Sequence, residues 1–433
     1  MGGKQYREVL RTPGLGVWFA VLVCQRFPVA MAPLALLFLG HAATGSYAVG
    51  ALLGGGHALA EAVAAGPLGR RFDRRPARGE IALVLGVEAA AFAALAVFGP
   101  ALQGAGPALP GAGPPLPGAG FALPVAGLLA LAAVGGAIPS GAHGGLRALL
   151  VRLAPGERRV AALSLESTAS STVWAVAPAL AGGLAAVDPR LPLLVMAVLA
   201  AAGAALGPLL RDPGPSPAVR GGGLWRQAWP AMAYDGGVMF GYGAVSLALP
   251  VLLTEFGAGA GLSGPVLTAC TIAGIGGGLA YGARPWRGSP LRHAVLLASG
   301  AGLALAGASL TPWLGAAVAL LALGGAFQTP AFTARAVALQ DLLPQSRWAA
   351  GFSGLYAAAG LGYGAAGLAV AWLAERADAR TAIGVCAVTG TALALGASAA
   401  ESRAAARRAA VSSHPEGTSP AAPTDPLPDG RPS

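Results

Sequence analysis

The sequence predicts an all-α polytopic membrane protein, with twelve transmembrane helices divided into two pseudo-symmetric six-helix bundles. Three observations predict it. First, 55% of the 433 residues are apolar and only 11% are charged, against roughly 25% charged in an average soluble domain. Such a chain cannot cover a water-exposed surface. The 67 glycines and 35 prolines would suit disorder, but disorder needs low hydrophobicity, and mean hydropathy is +0.64. Second, twelve apolar runs are each long enough to cross a bilayer core of about 30 Å, which takes about 20 residues. Third, the basic residues alternate between connections.

The runs are 14–40, 46–67, 80–100, 121–146, 160–187, 190–210, 228–254, 259–282, 293–310, 313–335, 348–373 and 379–400. Glycine and proline inside them are compatible with membrane helices. The fourth and tenth are the weakest, interrupted by Pro139 and Pro330. With the N-terminus inside, 24 of the 28 basic residues fall on the inner side and three, Arg190, Arg376 and Arg380, on the outer; Arg26 alone lies within a span. This is the positive-inside pattern, and it places both termini in the cytoplasm. The net charge of +10 is therefore read as orientation and headgroup contact, not as a nucleic-acid surface.

The organisation follows: a cytoplasmic N-terminus (1–13), an N-terminal half (14–210), a cytoplasmic linker (211–227), a C-terminal half (228–400) and a tail (401–433) expected to be disordered from its Pro, Ser and Asp content. Residues 104–124 repeat a seven-residue unit, GAGPALP, GAGPPLP, GAGFALP, in an uncharged outer connection (101–120). The first apolar run is too long for the core of a signal peptide.

Several chemistries are excluded. The single lysine, Lys4, is followed by Gln5, so no Walker A loop exists. Cys24, Cys270 and Cys386 are far apart in apolar runs; no metal or redox motif is present and no cofactor is expected. Residues 351–354 read GFSG, like the serine motif of intramembrane proteases, but the only histidine after Ser353 is His414 in the tail. An enzyme is not expected.

Six spans, an inner linker and six more spans is the layout of the major facilitator superfamily. The first inner loop, GRRFDRRPAR at 69–78, resembles that superfamily's best-known motif at Gly69, Asp73, Arg74 and Arg78, with Pro76 where glycine is usual. The resemblance implies that this loop latches the two bundles in one of the alternating states, with the carboxylate meeting the positive end of a helix dipole. YREVLRTPG (6–14), LESTASSTVWAVAPALAGG (165–183) and GIGGGLAYGARPW (274–286) resemble a drug-efflux-like branch common in high-GC actinobacteria. The fifth-span run is similar to the antiporter motif, but Ala177 replaces its first glycine and the spacing after Pro178 is one residue longer.

Ionisable groups inside spans are costly, roughly 2.5–3.5 kcal/mol on insertion scales, and often functional. The candidates for the substrate and proton pathway are Arg26, Asp235, Glu61, His57, Glu88 and Glu166; His143 joins them. At 1.5 Å per residue, Arg26 lies roughly 18 Å into its span, and Glu88, Glu166, Asp235 and Glu61 share a layer roughly 10–12 Å from the inner end. The resemblance places Arg26 and Asp235 on cavity-lining helices. His57 and Glu61, four apart, are expected to form a pair. Trp18, Phe19, Phe27, Tyr234, Phe240, Tyr242, Phe327 and Phe332 are candidate cavity walls.

The expected function is secondary transport of a small organic solute by alternating access, as proton-coupled efflux by a monomer in the bacterial plasma membrane, with Asp235 or Glu61 carrying the proton. Two alternatives stay open: uptake of an anionic metabolite clamped by Arg26, and a non-transporting membrane sensor or assembly partner.

Overall fold

The computed structural model describes residues 2–45, 47–99, 119–214, 223–259, 262–374 and 376–412. The first two repeats of the seven-residue unit and residues 215–222 of the linker lie outside the described residues; the end of the third repeat is helical. A short helix α1 (Gly2–Leu10) precedes the spans. The N-terminal half is α2 (Leu15–Thr44), α3 (Tyr47–Arg74), α4 (Ala77–Phe98), α5 (Ala119–Ala137) with α6 (Ser140–Leu153), α7 (Arg158–Val187) and α8 (Leu191–Leu206). The C-terminal half is α9 (Leu224–Glu255), α10 (Ser263–Gly282), α11 (Pro290–Leu310), α12 (Leu314–Leu342), α13 (Trp348–Ala374) and α14 (Ala379–Ser412). Among the described residues, counting α5 and α6 as one broken helix gives twelve long helices, ten of them long and apolar enough to cross a membrane, and the protein is a multi-pass membrane protein.

The two weak spans behave differently. Pro139 ends α5 and starts α6, because proline lacks the amide that would bond the preceding turn; the span is broken but its two pieces cross as one, Pro124–Leu153. Pro330 is absorbed within α12. Elsewhere turn chemistry is local. Ser289 caps α11, accepting from the Arg292 amide at 3.3 Å, with Pro290 in the first turn. Gly45 ends α2 at φ 70°, a left-handed geometry that glycine adopts without a Cβ penalty.

The halves repeat one packing scheme. α4 and α2 pack on α8; correspondingly α11 and α9 pack on α14. α5 lies against α3 and α4 as α12 lies against α10 and α11. Lipid supplies no hydrophobic drive between helices, so close approach relies on small residues. Gly40 meets Gly50 between α2 and α3, and on α9 Gly236 meets Gly362 of α13 while Gly237 meets Gly390 of α14.

Between the halves, α3 and α6 pack on α13, and α7 packs on α10 and α12. The contacts cluster at the ends that carry the arginine-rich connections. There Gly69 and Gly144 sit against Ala349, Ala350 and Ser353, and Gly282 against Ser164 and Tyr6. α13 is buried from Ala349 to Leu355 and exposed at Gly360, Leu361, Tyr363, Gly364 and Ala365; a Cβ at Gly360 or Gly364 would meet nothing. α7 changes the same way, from buried at Ala161–Ser164 to exposed at Trp174–Val176. The halves are closed at the arginine-rich face and diverge toward the other.

Three expectations are corrected here. The tail is expected to be disordered over 401–433; α14 runs on to Ser412 and Glu401 is buried against Arg335, while residues 413–433 lie outside the described residues. The C-terminal half begins at Leu224 rather than 228. Arg147, Arg152 and Arg335, counted among the inner connections, lie within α6 and α12.

Candidate functional site

A polar cluster sits where the closed part of the cleft ends, and Arg26 is its centre. Arg26 is 1% exposed. Its Nη2 donates to Glu166 Oε1 at 3.0 Å, its Nε to Ser170 Oγ at 3.2 Å and its Nη1 to Gln25 Oε1 at 2.7 Å. Nη1 also meets His143 Nδ1; arginine can only donate, so His143 accepts there. From α6, Arg147 holds the other oxygen, Glu166 Oε2, through Nε at 2.9 Å and Nη2 at 2.5 Å. Both oxygens of one buried carboxylate are thus taken by two arginines from two helices.

The cluster reaches the other half through Tyr356 of α13. Its ring stacks on His143 with centroids 3.7 Å apart, and its hydroxyl is a hydrogen-bond partner of Glu61 on α3. Arg147 also faces the Phe352 ring of α13 at 5.7 Å. A second buried pair belongs to the C-terminal half alone: Arg335 Nη2 donates to Glu401 Oε2 at 2.6 Å, and the guanidinium lies 5.7 Å from the Tyr234 ring. Asp235, next along α9, has both Arg335 and Arg147 as its charged neighbours.

Pairing and hydrogen bonding together single out two acids. Among the described residues of the buried layer around Arg26 and Arg335, three arginines, Arg26, Arg147 and Arg335, face Glu61, Glu88, Glu166, Asp235 and Glu401. Five acids meet three arginines in this layer. Among these acids, the oxygens that are buried without a hydrogen-bond partner are Glu88 Oε1, Glu88 Oε2 and Asp235 Oδ1. Glu166 and Glu401 hold the salt bridges to these arginines, and of the other three acids Glu88 and Asp235 carry the orphan atoms. A buried carboxylate with no partner costs far more than a carboxylic acid in the same seat.

The structure thus gathers Arg26, Glu166, Glu61 and His143 and leaves His57 apart. His57 does not pair with Glu61: its Nδ1 bonds the Ala132 carbonyl at 3.0 Å and its ring meets Phe92 at 5.9 Å. The α3–α5 contact takes it instead. Arg26 presents no free fork for an anionic solute, since Glu166, Gln25, Ser170 and His143 occupy it. Among the aromatic candidates, Trp18 donates to Leu146 O at 2.9 Å and Tyr234 to Ala294 O at 2.6 Å, both fully buried helix-to-helix staples rather than cavity walls. Phe327 packs on Gly300. Ser353 is buried between the halves, donating toward Gly141 O at 3.4 Å.

At the arginine-rich face, Asp73 accepts from the Ala349 and Ala350 amides at 2.9 and 3.1 Å. These are free amides of the first turn of α13, so a carboxylate from one half caps a helix of the other. Gly69 lets the helices approach there. Pro76 starts α4 at φ −57°. Arg74 and Arg78 point outward; the arginines that pair are Arg71 and Arg75, to Glu80 at 2.9 and 3.0 Å. Asp212 joins from the linker, accepting from the Ala77 amide at 2.5 Å and lying 3.8 Å from Arg152.

Burial raises the Asp73 carboxyl to about 6, against the opposing pull of the two amides and Arg152. The closed latch therefore binds a proton more tightly than an open, hydrated one. Its grip should loosen as pH rises from about 4 to about 6 and stay level above that. Asp73→Ala orphans two amides and should weaken closure by about 1–2 kcal/mol at every pH. Cross-face distances between spin labels would check both, and a grip that tightens over that range would reverse the sign.

Comparison with solved structures defines the fold. The chain is similar to a bacterial homologue of the iron transporter ferroportin, in an outward-facing state with soaked iron (TM-score 0.69, 14% identity, covering 91% of this chain and 100% of that one). It is similar to the human organic anion transporter MFSD10 (TETRAN) (TM-score 0.63, 13% identity, 89% and 98%). It is similar also to FucP, a major facilitator superfamily transporter in the outward conformation (TM-score 0.60, 15% identity, 88% and 98%). The chain has the major facilitator superfamily fold. No protein-family model and no curated protein matches it.

Proposed function

We propose that this protein is a secondary transporter that moves a small organic solute by alternating access, as proton-coupled efflux. One observation carries the reading: the halves are closed at one face and divergent at the other, with a buried ionisable cluster at the bottom of the cleft. Rocking of one half against the other around such a site is the general route of alternating access. The positive-inside pattern supports a cytoplasmic arginine-rich face and a plasma-membrane location. The described form is then open outward, like the ferroportin homologue and FucP structures it resembles. The drug-efflux-like sequence stretches support an amphipathic organic solute. Occupation of Arg26 by Glu166 weighs against an anion clamp, and the divergent cleft weighs against a sensor that never opens.

Asp235 and Glu61 are the proposed proton carriers: Asp235 has an oxygen without a partner, and Glu61 faces the other half. Everted vesicles carrying ethidium as the probe test this. Asp235→Asn and Glu61→Gln should each reduce pH-gradient-driven ethidium movement more than tenfold while leaving ethidium exchange without a gradient within about threefold, since only the coupling step is cut. Gradient-driven movement unchanged in both variants would refute the assignment.

A further inference from the structure

Glu88 is 0% exposed and neither of its oxygens has a partner. Its neighbourhood follows from two helix registers. α3 and α4 run antiparallel, and the His57–Phe92 ring contact fixes their levels. One turn toward the arginine-rich face lies Glu61 on α3 and Glu88 on α4, and Glu61 is the charged neighbour of Glu88. The other elements around Glu88 offer no counter-charge. α5 and α8 contain no titratable residue. On α6, His143 and Arg147 are committed to Arg26 and Glu166; Arg152 lies with Asp212. On α2, Arg26 is committed to Glu166 and Cys24 is uncharged. Glu61 itself faces Arg26 on α2, Tyr356 on α13 and Glu88 on α4.

We propose that Glu88 is a proton-binding site whose occupancy is required for closure of the arginine-rich face, read across the halves through Glu61 and Tyr356. The causal chain is electrostatic. With Glu88 neutral, Glu61 can stay ionised and accept from the Tyr356 hydroxyl, which ties α3 to α13. Losing the Glu88 proton puts two carboxylates at one level with one arginine in reach, and that arginine is engaged. Glu61 then recruits a proton or hydration, and the tie to Tyr356 is lost. The closed form therefore holds a proton that the open form releases, so raising pH should open this face. This rests on the alternating-access reading and adds, beside the carriers Asp235 and Glu61, a site that regulates one of its two faces.

The test uses the full chain in nanodiscs, with Cys24, Cys270 and Cys386 replaced by alanine and spin labels at Arg70→Cys and Gln345→Cys. Both positions are exposed on the arginine-rich face, one on each half. Measurements run from pH 7 to 9, above the range in which Asp73 titrates. The open fraction should rise about tenfold per pH unit at most, the limit for one proton, and at least tenfold overall. Glu88→Gln, a neutral isostere, should stay closed, with less than a twofold change. Tyr356→Phe, which keeps both acids, should flatten the response. Opening of Glu88→Gln over the same range as the parent overturns the proposal. So does a parent that populates both distances without responding to pH, which leaves transport standing. A single distance at every pH and with saturating ethidium overturns the alternating-access reading itself.

Discussion

Gly144→Leu is expected to abolish closure of the arginine-rich face while leaving each half folded. A Cβ at Gly144 would overlap the Ala349 carbonyl and the Ser353 hydroxyl, both on α13 of the opposite half. Backbone cannot move aside as a flexible side chain can, so the strain falls on the interface between halves. Overpacking of this kind costs about 1–3 kcal/mol, a shift of about 5- to 150-fold in the balance between two states. The larger end applies here because leucine extends past the Cβ into a contact already at its limit. Gly135→Ala is the control: there the nearest atoms to a new Cβ, on Ala91 and Phe92, are 3.6 Å away, and the site lies within one half. Ethidium transport should fall at least tenfold in the first variant and change less than twofold in the second. Equal effects would mean that the interface at α6 and α13 is soft, and that closure is set elsewhere.

The same region shows how far the sequence could be read. Fold and span number were legible because bilayer thickness and arginine distribution act on whole segments and tolerate local error. Arg147 and Arg335 show the cost of that coarseness. Both stand near the ends of apolar runs, which reads as a connection, yet their helices continue and turn them inward onto Glu166 and Glu401. Glu401 followed the last apolar run, and nothing in composition distinguishes an acid that ends a helix from one drawn back by a buried arginine. The layer of Glu61, Glu88, Glu166 and Asp235 could be placed by helical rise, but the rise gives depth and not azimuth. Azimuth separates Glu166, held by two arginines, from Glu88, held by none. Tyr356 is illegible for the same reason: a tyrosine in an apolar run carries no mark of the helix it will face. The Asp73 contact was legible in kind, a carboxylate at a helix N-terminus, while its partner, nearly 280 residues away, required the fold.

Glu166→Gln should be the most destabilising single change in the spans. Its carboxylate neutralises Arg26 and Arg147 at once, with Arg26 fully buried and Arg147 half-buried. An amide can accept from one guanidinium but carries no charge, and its NH₂ would face the other. Removing one partner of a buried pair costs about 3–5 kcal/mol because the remaining ion stays out of water. For a six-helix half of about 200 residues that corresponds to about 6–20 °C in melting temperature. Adding Arg147→Met to Glu166→Gln removes one stranded cation, so the double variant should melt higher than the single one, a coupling that independent sites would not show. Arg147→Met alone should also destabilise less than Glu166→Gln, since Arg26 still holds the carboxylate. A Glu166→Gln protein that melts within 2 °C of the parent, an offset of about 1 kcal/mol or less, would mean that water from the open cleft reaches both arginines. The cluster would then be the floor of a hydrated vestibule rather than a sealed joint.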